Sequence, residues 1–306
     1  MQRIHIPTNP IHLPTSKPKQ TVSRQWVWGA LGLVLLFWAS SFVGIAIGLE
    51  GYSPVQLAFL RYFVASIVLL INAVITRMPL PNWRDLPGIF LLGAIGFSLY
   101  NVALNAGQQT VSAGVAGFII SAEVGMIAVL AAAFFKEHLG RIGWIGVALC
   151  LAGVALISFA NETSIQVSAG ALIIMVATFS ISIYSLLQKR FLEKYGALQF
   201  TTYAIWAGTI CLFPFASDAL QTVAAAPSHA TLAVIYMGVF PGAIAYASWS
   251  YVLAHIPASR AGGYLTVIPV LAMAIAWAFL GEVPTLIAIM GGAVVLLGVV
   301  MINRSR

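Results

Sequence analysis

The stretch Thr110–Glu137, TVSAGVAGFIISAEVGMIAVLAAAFFKE, aligns without gaps on His255–Glu282, HIPASRAGGYLTVIPVLAMAIAWAFLGE, at an offset of 145 residues. Ala113/Ala258, Ala116/Ala261, Gly117/Gly262, Phe134/Phe279 and Glu137/Glu282 are identical, and the same offset pairs Gly93 with Gly238, Gly146 with Gly291 and Gly153 with Gly298. A fixed offset shared by several segments is the mark of an internal repeat. Each copy is apolar over more than 20 residues, enough to cross a hydrocarbon core of about 30 Å at about 1.5 Å per residue. The repeated unit is therefore made of membrane helices.

Outward from this pair, apolar runs long enough to span lie near 26–49, 55–76, 87–106, 110–135 and 142–160, then near 167–188, 197–216, 230–254, 258–280 and 283–302. Barrel strands would alternate apolar and polar residues over roughly ten positions, and these runs do not. The expected fold is all-α and polytopic, with ten transmembrane helices in two five-helix repeats covering 26–160 and 161–306. Five is odd, so the second copy enters the membrane inverted. Composition agrees: 60% of the 306 residues are hydrophobic and 8% charged, against roughly 25% charged in a soluble domain.

Charge sets the orientation. Arg3, Lys17, Lys19 and Arg24 precede the first span, and the other cationic residues outside the spans fall at every second connection: Arg77 and Arg84, Lys136 and Arg141, Lys189, Arg190 and Lys194, Arg260, then Arg304 and Arg306. The intervening connections carry Glu50, Glu162, Asp218 and Glu282. By the positive-inside rule both termini are expected in the cytoplasm, and Trp26, Trp28, Trp83 and Trp144 near the same ends fit an interfacial belt. The net charge of +7 thus reflects topology; it forms no basic stripe of the kind nucleic acid requires. Residues 1–25, with four prolines and few apolar side chains, are expected to be a disordered tail. The first apolar run exceeds a signal-peptide core and continues past its small residues, so it is read as an uncleaved helix. Cys150 and Cys211 fall within apolar runs and read as packing residues.

The FWASSFV stretch at 37–43, the fourth helix of each unit ending in KE or GE, and a glycine-punctuated fifth helix resemble the drug/metabolite transporter superfamily, in its EamA-type ten-helix members, over nearly the whole chain beyond the tail. The chain is similar in particular to bacterial amino-acid exporters of the YddG type. The resemblance implies a central cavity lined by helices 1, 3, 4, 6, 8 and 9, and a small-molecule substrate. One departure is Val124, beside Glu123, where the second copy has Pro269.

Glu123 is the acidic residue deep within a span. A charge there costs about 2.5–3.5 kcal/mol on insertion scales, so either a water-filled cavity or a protonated or paired structural role is expected. Gly117, Ser121 and Gly125 form a small-residue series suited to helix packing, and in a continuous helix Glu123 would point the other way. Trp38, Tyr100, Asn101, Tyr246, Trp249 and Tyr264 would suit a cavity for compact solutes with an apolar part. Pro241-Gly242 and Pro269 each free a backbone carbonyl; they read either as plain kinks or as part of a gate or substrate seat, with breaks in the second repeat only. Ser40, Gly44 and Gly48 read as a helix contact surface, Arg61 as a snorkelling side chain, and His138 and His255 as solvated residues at helix ends. No zinc, nucleotide or nucleophile motif is present. A carrier without cofactor or metal is expected, in contact with lipid and not nucleic acid, at the cytoplasmic membrane of a bacterium. An exporter of neutral or aromatic amino acids is the leading reading, with drugs or nucleosides as alternative cargo and an intramembrane enzyme as the reading of another class.

The charge partition predicts that, with both native cysteines replaced, single cysteines at Ser53, Ser164 and Ser228 react with an impermeant thiol reagent outside spheroplasts, and one at Ser305 does not. The reverse labelling pattern would invert the topology.

Overall fold

The computed structural model describes residues 24–135, 140–158, 168–256 and 258–304. It is helical throughout, with no strand among the described residues. The first repeat holds α1 (Arg24–Gly48), α2 (Pro54–Ile75), α3 (Trp83–Gly107), α4 (Ala113–Phe134) and α5 (Arg141–Ser158). The second holds α6 (Ala169–Leu192), α7 (Ala197–Val223), α8 (Ser228–His255), α9 (Ala258–Tyr264, Leu265–Val267 and Ile268–Leu280) and α10 (Leu286–Arg304). Among the described residues nine helices are long and apolar enough to cross a membrane, and α5, at 18 residues, is the tenth apolar helix. The observed ends of α6 and α7 lie several residues beyond the apolar runs, because polar turns continue each helix past its apolar part. The Glu162, Lys136 and His138 expectations and the tail fall outside the described residues.

Local chemistry sets the helix ends. Ser53 begins α2 as a capping box: its Oγ accepts from the Gln56 amide at 3.4 Å, the Gln56 Oε1 accepts from the Ser53 amide at 2.9 Å, and Pro54 supplies a preset φ at the first turn. The Gln56 side-chain amide then donates to Asp218 and to Thr222 on α7. At the other extreme α9 ends on Gly281, whose φ of +67° is left-handed. That turn carries Glu282 back across the repeat boundary, where its carboxylate accepts from the Ala113 and Gly114 amides at 3.2 and 3.4 Å. An anion at those free N–H groups also meets the positive end of the α4 dipole.

The repeat expected from the sequence governs packing. α5 and α10 share the most extensive interface in the molecule. A Cβ added to Gly146 would lie 2.7 Å from the Gly298 carbonyl oxygen, and one on Gly298 would lie 2.5 Å from that of Gly146. Gly153 and Gly291 repeat the arrangement at 2.7 and 2.9 Å. The offset exchanges these two pairs, as a two-fold axis between repeats requires. α3 and α8 behave alike: Gly93 abuts the Ala204 carbonyl and Ala207 on α7, and Gly238 abuts the Arg61 carbonyl and Val64 on α2. Gly44 of α1 sits on Met237 and the Ser40 hydroxyl on the Tyr236 hydroxyl at 2.6 Å, so those two residues do form a contact surface with α8. Gly48 packs on Leu57 instead. Cys150 is buried, Cys211 half-buried, and both are free thiols.

The expectation that helix breaks are confined to the second repeat is overturned. α3 contains a π-helical segment at Ala94–Leu99 and α8 one at Phe240–Ile244, at matching repeat positions. α4 is interrupted at Ala122, between Ala113–Ser121 and Glu123–Phe135, and α9 by a 3₁₀ turn at Leu265–Val267, again at matching positions. Proline accompanies the breaks in α8 and α9 but not those in α3 and α4, so proline is not their common cause. Hydroxyls accompany them all the same: Ser121 donates to the Phe118 carbonyl at 2.6 Å and its counterpart Thr266 to the Gly263 carbonyl at 2.8 Å. Ser180 on α6 donates to the Ile95 carbonyl, within the α3 π-segment, at 2.6 Å.

Gly298→Ala forces a methyl group against backbone, and overpacking costs about 1–3 kcal/mol. Its melting temperature in detergent should fall by several degrees, whereas Gly29→Ala, which meets no neighbour within 4 Å, should leave it unchanged.

Candidate functional site

The break at Ala122 makes Glu123 the first residue of the second α4 segment, where its carboxylate faces the positive end of that helix. Its Oε1 accepts from the Ser185 hydroxyl of α6 at 2.7 Å. Glu123 also lines a cavity of about 300 Å³ with Phe42 of α1, Gly117 and Ser121 of α4, Thr266 and Pro269 of α9, and Asn303 of α10. Of the two expected settings for this carboxyl, the geometry provides the cavity together with one neutral hydrogen-bond partner. Because Ser121 and Glu123 line the same cavity, the expected opposition of Glu123 to the small-residue face does not hold. That expectation assumed a continuous helix, and the interruption at Ala122 resets the rotation. Gly117 does pack closely, on Ala272 and Pro269, and Gly125 on Cys150.

The cavity runs from Phe42 and Pro269, within the spans, to Asn303 in the last turn of α10 and Gly262 near the start of α9. Those ends lie on the side of the basic connections. On the other side α4 and α9 meet closely, Gly114 against Met273, under the Glu282 carboxylate. The α1–α2 connection also joins the first turn of α8 there, through Tyr52 to Thr231 at 2.6 Å and Glu50 to His229 at 2.7 Å.

The expected aromatic residues separate into groups. Trp38 packs against Tyr246 at 5.3 Å and Trp249 at 5.8 Å between ring centroids, and Tyr246 continues to Phe97 at 6.0 Å. Phe97 in turn holds Tyr62 at 5.4 Å and Tyr184 at 5.2 Å edge to face. Trp38, Tyr246 and Trp249 are half-buried, whereas Tyr62, Phe97 and Tyr184 are buried. Tyr100 is half-buried on α3, next in sequence to Asn101. Tyr264 lies edge-on to Trp28 and packs, with Trp249, against the buried Leu31, Val252 and Ala261. Pro241 and Gly242 are buried within the α8 π-segment, and a Cβ on Gly242 would lie 3.0 Å from that of Ala65. His255 is exposed, as expected, and turns its Nδ1 to the Tyr251 carbonyl.

Two readings change. Arg61 does not snorkel: it is 6% exposed, and its Nη1 donates to the Asn101 Oδ1 at 3.2 Å. Asn101, expected to face a substrate, is wholly buried, and its Nδ2 donates to the Tyr62 hydroxyl at 2.6 Å and the Phe97 carbonyl at 3.0 Å. Both amide protons are thus engaged inside the protein, and the side chain orients Arg61. The sequence reading also left out Ser185, Tyr62, Phe97 and Tyr184. Apolar runs hide such residues; only the polar Arg61 offered a sequence cue, and its place near a span end obscured it.

The EamA-like transporter family matches residues 26–159 and again residues 168–304. The chain belongs to that family. Among relatives of this EamA-like chain, an uncharacterized transporter, YdfC of Bacillus subtilis, is 42% identical over 267 residues, covering 87% of each chain. A probable terminal-alkyne amino-acid exporter of Streptantibioticus cattleyicolor is 36% identical, covering 91% of this chain and 93% of its own. A probable amino-acid metabolite efflux pump of Salmonella typhimurium is 23% identical over 87% of this chain and 91% of its own. A crystal structure at 17% identity superposes with a TM-score of 0.61, covering 92% of this chain and 98% of the other, which gives the shared fold.

Glu123→Gln keeps the Ser185 contact within reach and removes the charge. If the carboxylate takes part in transport, flux in proteoliposomes falls at least tenfold while folded yield stays near wild type; unchanged flux from pH 5 to pH 8 would make Glu123 structural.

Proposed function

We propose that this EamA-like protein is a secondary carrier of the bacterial cytoplasmic membrane, exporting neutral and aromatic amino acids by alternating access, with both termini in the cytoplasm. The observation that carries the reading is the Glu123 carboxylate lining a cavity, with the Trp38–Tyr246–Trp249 group gathered between α1 and α8. A carboxylate suits an ammonium group, and an aromatic surface suits an apolar side chain. Such a surface discriminates weakly, since one methylene changes affinity by about 1–3 kcal/mol, so several neutral amino acids share the site.

Residues 26–160 and 161–306 act as the two moving halves. Inverted repeats of this kind give two pseudo-equivalent end states, one open to each side. The cavity that reaches Asn303 corresponds to the state open toward the basic connections. The Streptantibioticus and Salmonella relatives, a probable terminal-alkyne amino-acid exporter and a probable amino-acid metabolite efflux pump, support the substrate class and the direction. Pro241, Gly242 and Pro269, in or beside the α8 and α9 breaks, are the gate residues of this reading.

Counterflow in proteoliposomes tests it with labelled phenylalanine, leucine, a nucleoside and a lipophilic drug cation. Phenylalanine and leucine should exchange with millimolar half-saturation, and Trp38→Ala and Tyr246→Ala should change their ratio severalfold at unchanged folded yield. Exchange of the nucleoside or the cation without either amino acid would replace the substrate assignment.

A further inference from the structure

The sequence places one cation inside a span, and among the described residues it has no counter-ion. Arg61 is the eighth residue of α2, about 10 Å along a helix rising about 1.5 Å per residue. A guanidinium stays charged at any physiological pH. Its contacts are nonetheless neutral: the Asn101 Oδ1 at 3.2 Å, and the Tyr62 ring, whose centroid lies 5.5 Å from Cζ. Among the described residues Lys194 pairs with Asp85, and Glu50 meets His229, which is charged only when protonated; both contacts lie at helix ends and neither involves Arg61. The Arg61 Nε is buried and has no hydrogen-bond partner.

The surroundings hold this group in a definite orientation. Asn101 gives both amide protons away, to Tyr62 and to the Phe97 carbonyl, so its oxygen is turned toward Nη1. That contact engages one end of the guanidinium and leaves the edge formed by Nε and Nη2, the pair of parallel donors that fits a carboxylate with two hydrogen bonds. Tyr62, whose hydroxyl accepts the Asn101 amide proton, leads through Phe97 to Tyr246 at ring-centroid separations of 5.4 and 6.0 Å. Tyr246 belongs to the Trp38 group. The cation therefore borders that aromatic region from α2.

We propose that Arg61, oriented by Asn101 and Tyr62, is the subsite for the carboxylate of the transported solute, so that the substrate class is restricted to compounds bearing a carboxylate. This rests on the proposed role of the aromatic group as the substrate seat. In an amino acid the two charged ends meet the two opposite charges of the site; amines and nucleosides bring nothing for the guanidinium.

The test uses the purified full chain and three probes that share one phenylethyl frame: phenylalanine, 3-phenylpropionate without the ammonium, and 2-phenylethylamine without the carboxylate. Binding is followed by tryptophan fluorescence, and exchange by counterflow. Wild type should bind phenylalanine and 3-phenylpropionate at least tenfold more tightly than 2-phenylethylamine. Arg61→Gln should weaken 3-phenylpropionate at least tenfold without weakening 2-phenylethylamine, and Arg61→Lys should fall between. If Arg61→Gln does not fold, the wild-type ratio and Arg61→Lys decide. Equal wild-type binding of amine and amino acid, or an unchanged ratio in a folded variant, overturns the proposal. Phenylalanine exchange that ignores the carboxylate would remove the subsite and keep the amino-acid reading. Arg61-dependent binding of 3-phenylpropionate without amino-acid exchange would keep the subsite and remove that reading.

Discussion

Hydrocarbon offers no hydrogen bond, so every peptide group within the bilayer must find its partner inside the protein. Continuous helices meet that demand without help, and departures from them need a local remedy. Four of the departures here form two matched pairs, in α3 with α8 and in α4 with α9, while a 3₁₀ turn at Phe213–Phe215 in α7 has no counterpart in the continuous α2. Those in α3, α4 and α8 lie among buried residues, and hydroxyls of Ser121, Thr266 and Ser180 bond carbonyls beside or within three of the four. The inverted repeat thus explains their placement better than proline does: a bend useful in one copy recurs in the other, with proline in one and serine or threonine chemistry available in both.

Those breaks also decide where charge is tolerated. An ionised side chain within the hydrocarbon costs about 2.5–3.5 kcal/mol on insertion scales, and the chain carries Glu123 and Arg61 there. The α4 interruption gives Glu123 a helix N-terminus and the Ser185 hydroxyl. The α3 π-segment ends just before Tyr100 and Asn101, and it brings the Phe97 carbonyl within 3.0 Å of the Asn101 amide, which in turn fixes Arg61. Each charge is therefore attached to a break in its own or an adjoining helix, so the distortions of the repeat and the polar features of the site have one origin.

The fold was legible because its determinants are long and redundant: ten apolar runs, alternating cationic connections, and paired glycines such as Gly146 and Gly298. Helix–helix contacts through glycine depend on the absence of a side chain, and that absence is visible in a sequence. The site was less so. Glu123 was identifiable as an anomaly in an apolar run, and Trp38, Tyr246 and Trp249 do meet, yet Asn101 has other neighbours. Rotation about a helix axis was the missing quantity. A break without proline, as at Ala122, changes that rotation and leaves no mark in the residue types, which is why Ser121 and Glu123 line one cavity against expectation. Arg61 escaped for a related reason: depth counted along one helix says nothing of the helices that cover it.

A carrier of the proposed kind must also exchange one closed side for the other at small cost. The side opposite the basic connections is held by a short set of polar contacts, Glu282 on the α4 amides, Tyr52 on Thr231 and Glu50 on His229. A neutral hydrogen bond contributes about 0.5–1.5 kcal/mol net, one to a charged group about 1.5–3 kcal/mol, and an exposed contact of opposite charges about 0.2–1 kcal/mol. The set as a whole thus lies within several kcal/mol, the range over which a ligand's differential affinity for two states shifts their populations. By contrast, α5 and α10 meet backbone to backbone through Gly146, Gly153, Gly291 and Gly298, and close packing of that sort admits no gradual slippage. The molecule therefore combines a rigid seam between its repeats with lightly held ends, and the physical requirement on any motion is that it preserve the first while breaking the second.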